Sequence, residues 1–270
     1  VIHELKPTEY GSVRSLFWSL RYHLTSAAVL DGNSPGRVFV DDSARPRSAF
    51  TVSPEGCYLA GDPYNPAFNR ALNQAVVLRR GLGEDVPVLF LVVDPERWRE
   101  RLSGVLDPCR VVEVKRRHYV CGGLHYDWRA HLPAGYTLHR IDRSLLDCPQ
   151  LTVPDHVTGW MENNWGSIDR FLRDGFGFAT VSEGEVVSWS LSDCVSDDRC
   201  EIGIRTAPAH RRRGLAAVTA AAAAEHALAR GFASVGWHCP DDNLGSISTA
   251  ERVGFQRERD YSAYYAFLDE

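Results

Sequence analysis

The stretch "RRRGLAAVTAAAAAEHALARG", Arg211 to Gly231, restricts the fold more than any other part of this chain. Most side chains between its two outer glycines are single methyl groups. Alanine is the best helix former, so a helix is predicted over 214–230. Its small side chains let it lie close against a sheet, holding its N-terminus in place. The preceding "CEIGIRT" reads as a strand. A strand that enters a helix through a glycine turn exposes about four unpaired backbone N–H groups at the positive end of the helix dipole. Gly214 lets a ligand approach that backbone closely, having no Cβ. Arg211, Arg212 and Arg213 stand where cations are unfavourable by about 0.3–1 kcal/mol, which argues for an anion that offsets the repulsion. The competing reading is a solvated basic turn before an alanine-rich surface helix.

The remaining composition narrows the classes. The chain has 270 residues, 44% apolar and 24% charged, with a formal net charge of −5. Such a chain buries a sizeable core, and its acidity disfavours nucleic acid as a partner. No run of about 18 apolar residues suggests a membrane span, and "VIHELKPTEY" lacks the apolar region of a signal peptide. The seven cysteines are scattered without a C-x-x-C pair, so they read as buried thiols of a cytoplasmic protein rather than zinc ligands or disulfides. The histidines lack metal spacing, and no metal is expected.

Two halves repeat one order of elements: a helix, about three antiparallel-type strands, a helix, a strand, a helix and a strand. In the first half a helix over 12–30 precedes "GRVFVDD", "SAFTVS" and "CYLAG". Then come a helix over 67–81, the strand "PVLFLVV", a helix from "DPERW" and the strand "CRVVEVKRRHYV". In the second half "YTLHRI" leads to two short helices around a loop over 151–175, and "FGFATVS" and "EVVSWSLSDCVS" form a hairpin. "ASVGWHC" is a strand, "NLGSISTAERVG" a helix, and "FQRERDYSAYYAFL" the last strand or two. The fold class is α+β with a mixed sheet, in two domains, 1–130 and 131–270.

Arg211-Arg212-Arg213-Gly214-Leu215-Ala216, after a strand and opening a helix, resembles the acetyl-CoA signature of the GNAT acetyltransferase superfamily, Arg/Gln-x-x-Gly-x-Gly/Ala. "NLGSISTAERVGF", Asn243 to Phe255, resembles its second motif, an Asn followed by a helix ending in Gly-Phe. Both motifs stand in the family's element order, over roughly residues 135–268. More narrowly, "EIGIRT", "WHC" and the following Asn and Ser resemble the zwittermicin A resistance protein-like subfamily. The resemblance implies acetyl-CoA as cofactor. The backbone N–H groups of Arg212, Arg213, Gly214, Leu215 and Ala216 would hold its pyrophosphate, and Arg211 would shape the loop. Ile204 and Thr206 would pair with the pantetheine arm, Ile204 N–H would polarise the acetyl carbonyl, and Asn243 would bind the arm.

Direct attack by an amine needs a base. Glu201 is the first candidate, against a structural reading as a partner of Arg199 or Arg205. The family's usual tyrosine acid is replaced by Ala250, which leaves Ser246, water or no acid at all. For the acceptor, Trp160, Glu162, Asn163 and Trp165 of "GWMENNWGS" are of suitable kinds. Ser188, Ser190 and Ser192 share one strand face, lining either the acceptor cleft or solvent. His238 and Asp241 are weaker candidates, and Trp237 reads as core. In the first half, "AGDPYNPAFNRAL" lacks the signature and carries Asp62 and two prolines. That half reads as a degenerate GNAT-like duplicate, without acetyl-CoA, that shapes the acceptor pocket. The implied partner is a small-molecule amine, with neither nucleic acid nor membrane, and a homodimer is an open assembly state. The second reading is an acetyl-CoA-binding sensor that has lost catalysis.

Overall fold

The computed structural model describes residues 2–77 and 87–268. Their contacts divide into two units: residues up to 116 together with 260 onward, and residues 117–259. The division therefore falls at 116/117 and again at 259/260, rather than at 130/131.

In chain order the first half contains β1 (His3–Glu4), a 3-10 segment (Pro7–Leu20) and α1 (Leu24–Leu30). It continues with β2 (Arg37–Val40), β3 (Ser48–Ser53), β4 (Gly56–Gly61), α2 (Pro66–Val77), β5 (Val88–Val93), α3 (Pro95–Trp98), α4 (Leu102–Val105) and β6 (Arg110–Cys121). Then follow α5 (Trp128–His131), β7 (Thr137–Arg140), α6 (Arg143–Leu146), α7 (Asp155–Trp165), α8 (Ile168–Asp174), β8 (Gly177–Ser182), β9 (Glu185–Ser196) and β10 (Arg199–Thr206). The chain closes with α9 (Leu215–Ala229), β11 (Ser234–Pro240), α10 (Leu244–Val253) and β12 (Gln256–Phe267).

The helix expected over 12–30 is broken. Tyr22 and His23 turn into the core of the first unit, where His23 Nδ1 lies 3.1 Å from Tyr58 Oη. His23 is extended, with φ −103° and ψ 98°, which interrupts the helix before α1. The end of the helix expected over 67–81 lies outside the described residues. "GWMENNWGS" is not a loop: Gly159–Trp165 belong to α7, which stops at Gly166 in the left-handed conformation, φ +80°, with its N–H on Glu162 O at 2.8 Å. A glycine there is the usual way to end a helix.

Each unit contains a mixed sheet. In the first, β1, β2, β3 and β4 are antiparallel neighbours, β5 joins β4 in parallel, and β12 joins β5 antiparallel. In the second the order is β6–β11–β10–β9–β8–β7, with β10 and β11 parallel. Thus the sixth strand of the first unit comes from the end of the chain. The sixth strand of the second comes from the middle, residues 117–121.

Helix α9 packs on β8, β9, β10 and β11. Ala217, Ala220, Ala224 and Ala227 meet Cys200, Ile202, Val235 and Trp237 in one buried cluster. Beneath the same helix β9 presents Ser188, Ser190 and Ser192, all fully buried, while its other face puts Trp189 and Leu191 among the core residues of α7 and α8. Short residues on both sides bring helix and sheet together. Replacing the fully buried Ala221 with Leu is expected to lower the unfolding free energy by about 1–3 kcal/mol, read from the urea midpoint at unchanged slope. An unchanged midpoint would show that the close approach is not required. Among the described residues no helix is long and apolar enough to cross a membrane.

Candidate active site

Strands β10 and β11 pair only at Arg199–Ser234, Cys200–Val235 and Glu201–Gly236. Beyond Glu201 they part. The other edge of β10 stays paired with β9 as far as Thr206. Ala207 N–H donates to Val187 O at 2.8 Å, and Arg205 O accepts from Ser188 Oγ at 3.1 Å. Successive residues of a strand turn their backbone groups to opposite edges. Those of Ile204 and Thr206 therefore face the opening, where β11 no longer pairs with them. Thr206 O there accepts from Arg211 Nε at 3.2 Å. An extended ligand arm laid in this opening meets a ready strand edge, as in β-strand addition.

The opening continues into a cleft of about 680 Å³ that reaches the start of α9. Val218 N–H is an intrahelical donor, to Gly214 O at 3.1 Å. The N–H groups of Gly214, Leu215, Ala216 and Ala217 precede it and have no acceptor within the helix. Arg212 and Gly214 are both left-handed, at φ +61° and +82°. A Cβ built on Gly214 would point into open space, with nothing within 4 Å. These features suit a pyrophosphate. Of the residues expected from the sequence, Ile204, Thr206, Arg211, Arg212, Gly214, Leu215, Ala216 and Asn243 line the cleft. Arg213 is exposed beside it and is not among the lining residues.

The far wall is α10. Asn243 caps that helix, its Oδ1 accepting from Ser246 N at 3.1 Å. Ser246 Oγ accepts from Trp237 Nε1 at 2.9 Å, so its own proton remains available for donation. Ala250 is fully buried in the core. Arg252, a cleft-lining cation, was not singled out in the sequence.

Glu201, Gly203 and Arg205 share the opposite face of β10 from Ile202 and Ile204, by strand alternation. Glu201 is buried, and its carboxylate meets His238 Nε2 at 3.1 Å and Cys194 Sγ at 3.7 Å. The His238 ring stacks on His118 at 4.3 Å between centroids, and His118 Nδ1 lies 2.9 Å from Glu258. Burial holds His118 below its usual range, opposed by the charges of Glu201 and Glu258. His238, a weaker candidate in the sequence, is thus placed directly on Glu201. Asp241 is exposed just after β11.

The acceptor residues expected from the sequence separate. Trp160 packs over Gly203, and its Nε1 donates to Asp193 at 2.9 Å. Glu162 and Asn163 are exposed on α7. Trp165 is core, with Nε1 on Ser192 O at 2.9 Å. Ser188 is held by Arg205 O and Thr206 Oγ1, and Ser190 lies fully buried under α9. This serine face therefore meets neither solvent nor an acceptor, because α9 covers it.

The first unit closes where the second opens. There β4 and β5 stay paired through Leu59–Val93, and Asp94 N–H continues to Leu59 O at 3.3 Å. A Cβ on Gly61 would collide with Arg47 O, and Asp62 N–H is already bonded to that carbonyl at 2.8 Å. Asn65 Oδ1 accepts from Phe68 N–H at the start of α2, at 3.2 Å.

A family model described as GNAT acetyltransferase matches residues 14–264. The chain belongs to the GNAT acetyltransferase family. It is similar to the uncharacterized N-acetyltransferase YdfB of Bacillus subtilis (strain 168), at 26% identity over 276 residues, covering 98% of this chain and 99% of the relative. Among solved structures it resembles a GCN5-related N-acetyltransferase-like protein from Streptococcus suis 89/1591, with TM-score 0.71, 23% identity, and coverage of 96% and 98% of the two chains. It also resembles a tandem GNAT protein from the clavulanic acid biosynthesis pathway, with TM-score 0.61, 13% identity, and coverage of 100% and 99%. These structures establish the GNAT fold, and GNAT enzymes use acetyl-CoA. The parted strands, the free N–H groups at the start of α9 and the open space at Gly214 fit that cofactor.

Proposed function

We propose that this protein transfers an acetyl group from acetyl-CoA to a primary amine of a small molecule. The observation that carries the reading is the parting of β10 from β11 directly beside the Gly214-headed start of α9. The N–H groups at that start hold the pyrophosphate, with Arg211 and Arg212 beside them, and the outward edges of Ile204 and Thr206 hold the arm. When bound, the cofactor supplies the acetyl group as an activated thioester.

The chain's own groups then divide the remaining work. Ile204 N–H is a backbone donor at the strand edge facing the opening, placed to stabilise negative charge on a carbonyl oxygen. Glu201 receives the proton that an ammonium must lose before its nitrogen can attack. An ionised Glu201 only accepts hydrogen bonds, so His238 donates to it from Nε2. Ser246, with a lone pair committed to Trp237, presents its O–H as a donor.

The first unit holds no acetyl-CoA in this reading, since its β4 and β5 do not part and the Asp62 N–H is committed. The resemblance of "EIGIRT" and "WHC" to zwittermicin A resistance proteins supports a reading in which the acceptor is an amine-bearing antibiotic or related metabolite. The test is calorimetric titration with acetyl-CoA, followed by thiol release with a panel of small amines. One site per chain, with thiol release in the presence of an amine, is expected. Binding without thiol release for any amine would assign a regulatory module, and no binding would overturn both readings.

A further inference from the structure

The titratable residues that line the cleft beside α9 are all basic: Arg205, His210, Arg211, Arg212 and Arg252. No carboxylate stands among the described lining residues, although the chain as a whole carries a formal net charge of −5. Arg205 belongs to β10, and His210, Arg211 and Arg212 to the segment that leads into α9. Arg252 stands apart from them, on the far wall, in the last turn of α10.

Gly245, Ser248, Thr249 and Arg252 recur at helical spacing, so they share one face of α10, and all four line the cleft. From Gly245 to Arg252 that face runs about 10 Å, at about 1.5 Å per residue. It is low along its length. A Cβ on Gly245 would meet only Asn243 Oδ1, at 3.7 Å. Ser248 Oγ and Thr249 Oγ1 donate to Gly245 O at 3.2 and 2.7 Å, which folds both hydroxyls back onto the helix. Ala216 and Ala217 of α9 line the same cleft. Both helices thus give it small side chains as far as Arg252.

Arg252 is exposed. Its neighbour Glu251 is engaged elsewhere, Oε1 accepting from Tyr119 Oη at 3.1 Å. Burial pushes the Tyr126 phenol up, opposed by the Arg252 charge, so the phenol stays neutral and does not cancel that charge. Among the described residues no carboxylate forms an ion pair with Arg252. The dipole of α10 favours a cation in its last turn, but that accounts for any solvated arginine there and not for one on the wall of an all-basic cleft.

We propose that Arg252 binds the phosphate monoester on the ribose of CoA, so that CoA is preferred over 3′-dephospho-CoA. This rests on the acetyl-CoA reading and names the part of the cofactor that the far wall recognises. With the arm on Ile204 and Thr206 and the pyrophosphate at the Gly214 turn, the nucleoside end falls to the part of the cleft between α9 and α10. A phosphate monoester carries about −1.5 to −2 charge at pH 7. A guanidinium matches its oxygens with a planar fork of donors.

The test is calorimetric titration with CoA and with 3′-dephospho-CoA. The wild type is expected to bind CoA about tenfold or more tightly, and the gap should narrow as salt is added. Arg252→Gln should bring the two affinities within about threefold of each other, by weakening CoA and leaving 3′-dephospho-CoA within about twofold. Arg252→Lys keeps the charge without the fork and should retain part of the preference. A merely structural role in α10 would weaken both ligands alike and leave their ratio unchanged. Equal affinities in the wild type, or a ratio that survives Arg252→Gln, would overturn the subsite and leave the acetyl-CoA site standing. Should Arg252→Gln fail to fold, Arg252→Lys decides: a reduced ratio supports the subsite and an unchanged one overturns it. No binding of either ligand by the wild type would instead overturn the acetyl-CoA reading, and the subsite with it.

Discussion

Gly214→Asp is expected to weaken acetyl-CoA binding by at least about 100-fold, which corresponds to about 2.7 kcal/mol. Two causes act together. Gly214 sits at φ +82°, where a side chain costs about 1–2 kcal/mol, though Asp tolerates this region better than most. The new carboxylate also stands in the open space beside the N–H groups of α9. At about 4 Å, two like charges at a protein surface repel by about 4 kcal/mol at an effective dielectric constant near 20. Gly214→Ala separates these causes: it carries the backbone cost without the charge and should bind more tightly than the Asp variant. Calorimetry measures both, with circular dichroism and melting temperature as checks of folding. Wild-type affinity in a folded Gly214→Asp protein would show that no anion binds at this turn.

Glu201→Gln should lower kcat about 10²- to 10³-fold, within the usual range for loss of a general base. Acetyl-CoA affinity should change by less than about twofold, because the carboxylate lies on the face of β10 away from α9. Gln preserves the volume and can still meet His238, so the buried site keeps its packing and a hydrogen bond. Loss of rate should be largest at low pH, where the acceptor is almost wholly ammonium, and smaller at high pH, where more free amine is present. A kcat within about threefold of wild type, flat across pH, would assign Glu201 a purely structural role with His238 and His118.

Much of the proposed cofactor cleft was legible from local pattern. Alanine content, the arginine–glycine turn and the preceding alternation located α9, the turn and β10, because propensity and turn chemistry act over a few residues. The geometry at Gly214 and the cap at Asn243 followed the same local rules. The residues expected to meet an acceptor were legible only in part. Trp160 and Trp165 look alike in "GWMENNWGS", but the former packs over Gly203 and the latter is core. Ser188 and Ser190 alternate as an exposed face would, yet α9 covers them.

The sequence by itself determined the GNAT signature and the order of helices and strands, since propensity, periodicity and glycine conformation are properties of neighbouring residues. The tertiary structure alone decided which strands complete which unit. Strand pairing is made by backbone groups that every residue carries, so β6 and β12 bear no mark of their partners. Only the folded chain assigns 117–121 to one unit and 260–267 to the other. It also decided where β10 and β11 part and which face of β10 lies away from α9. These features depend on packing between residues far apart in the chain, which no single stretch encodes.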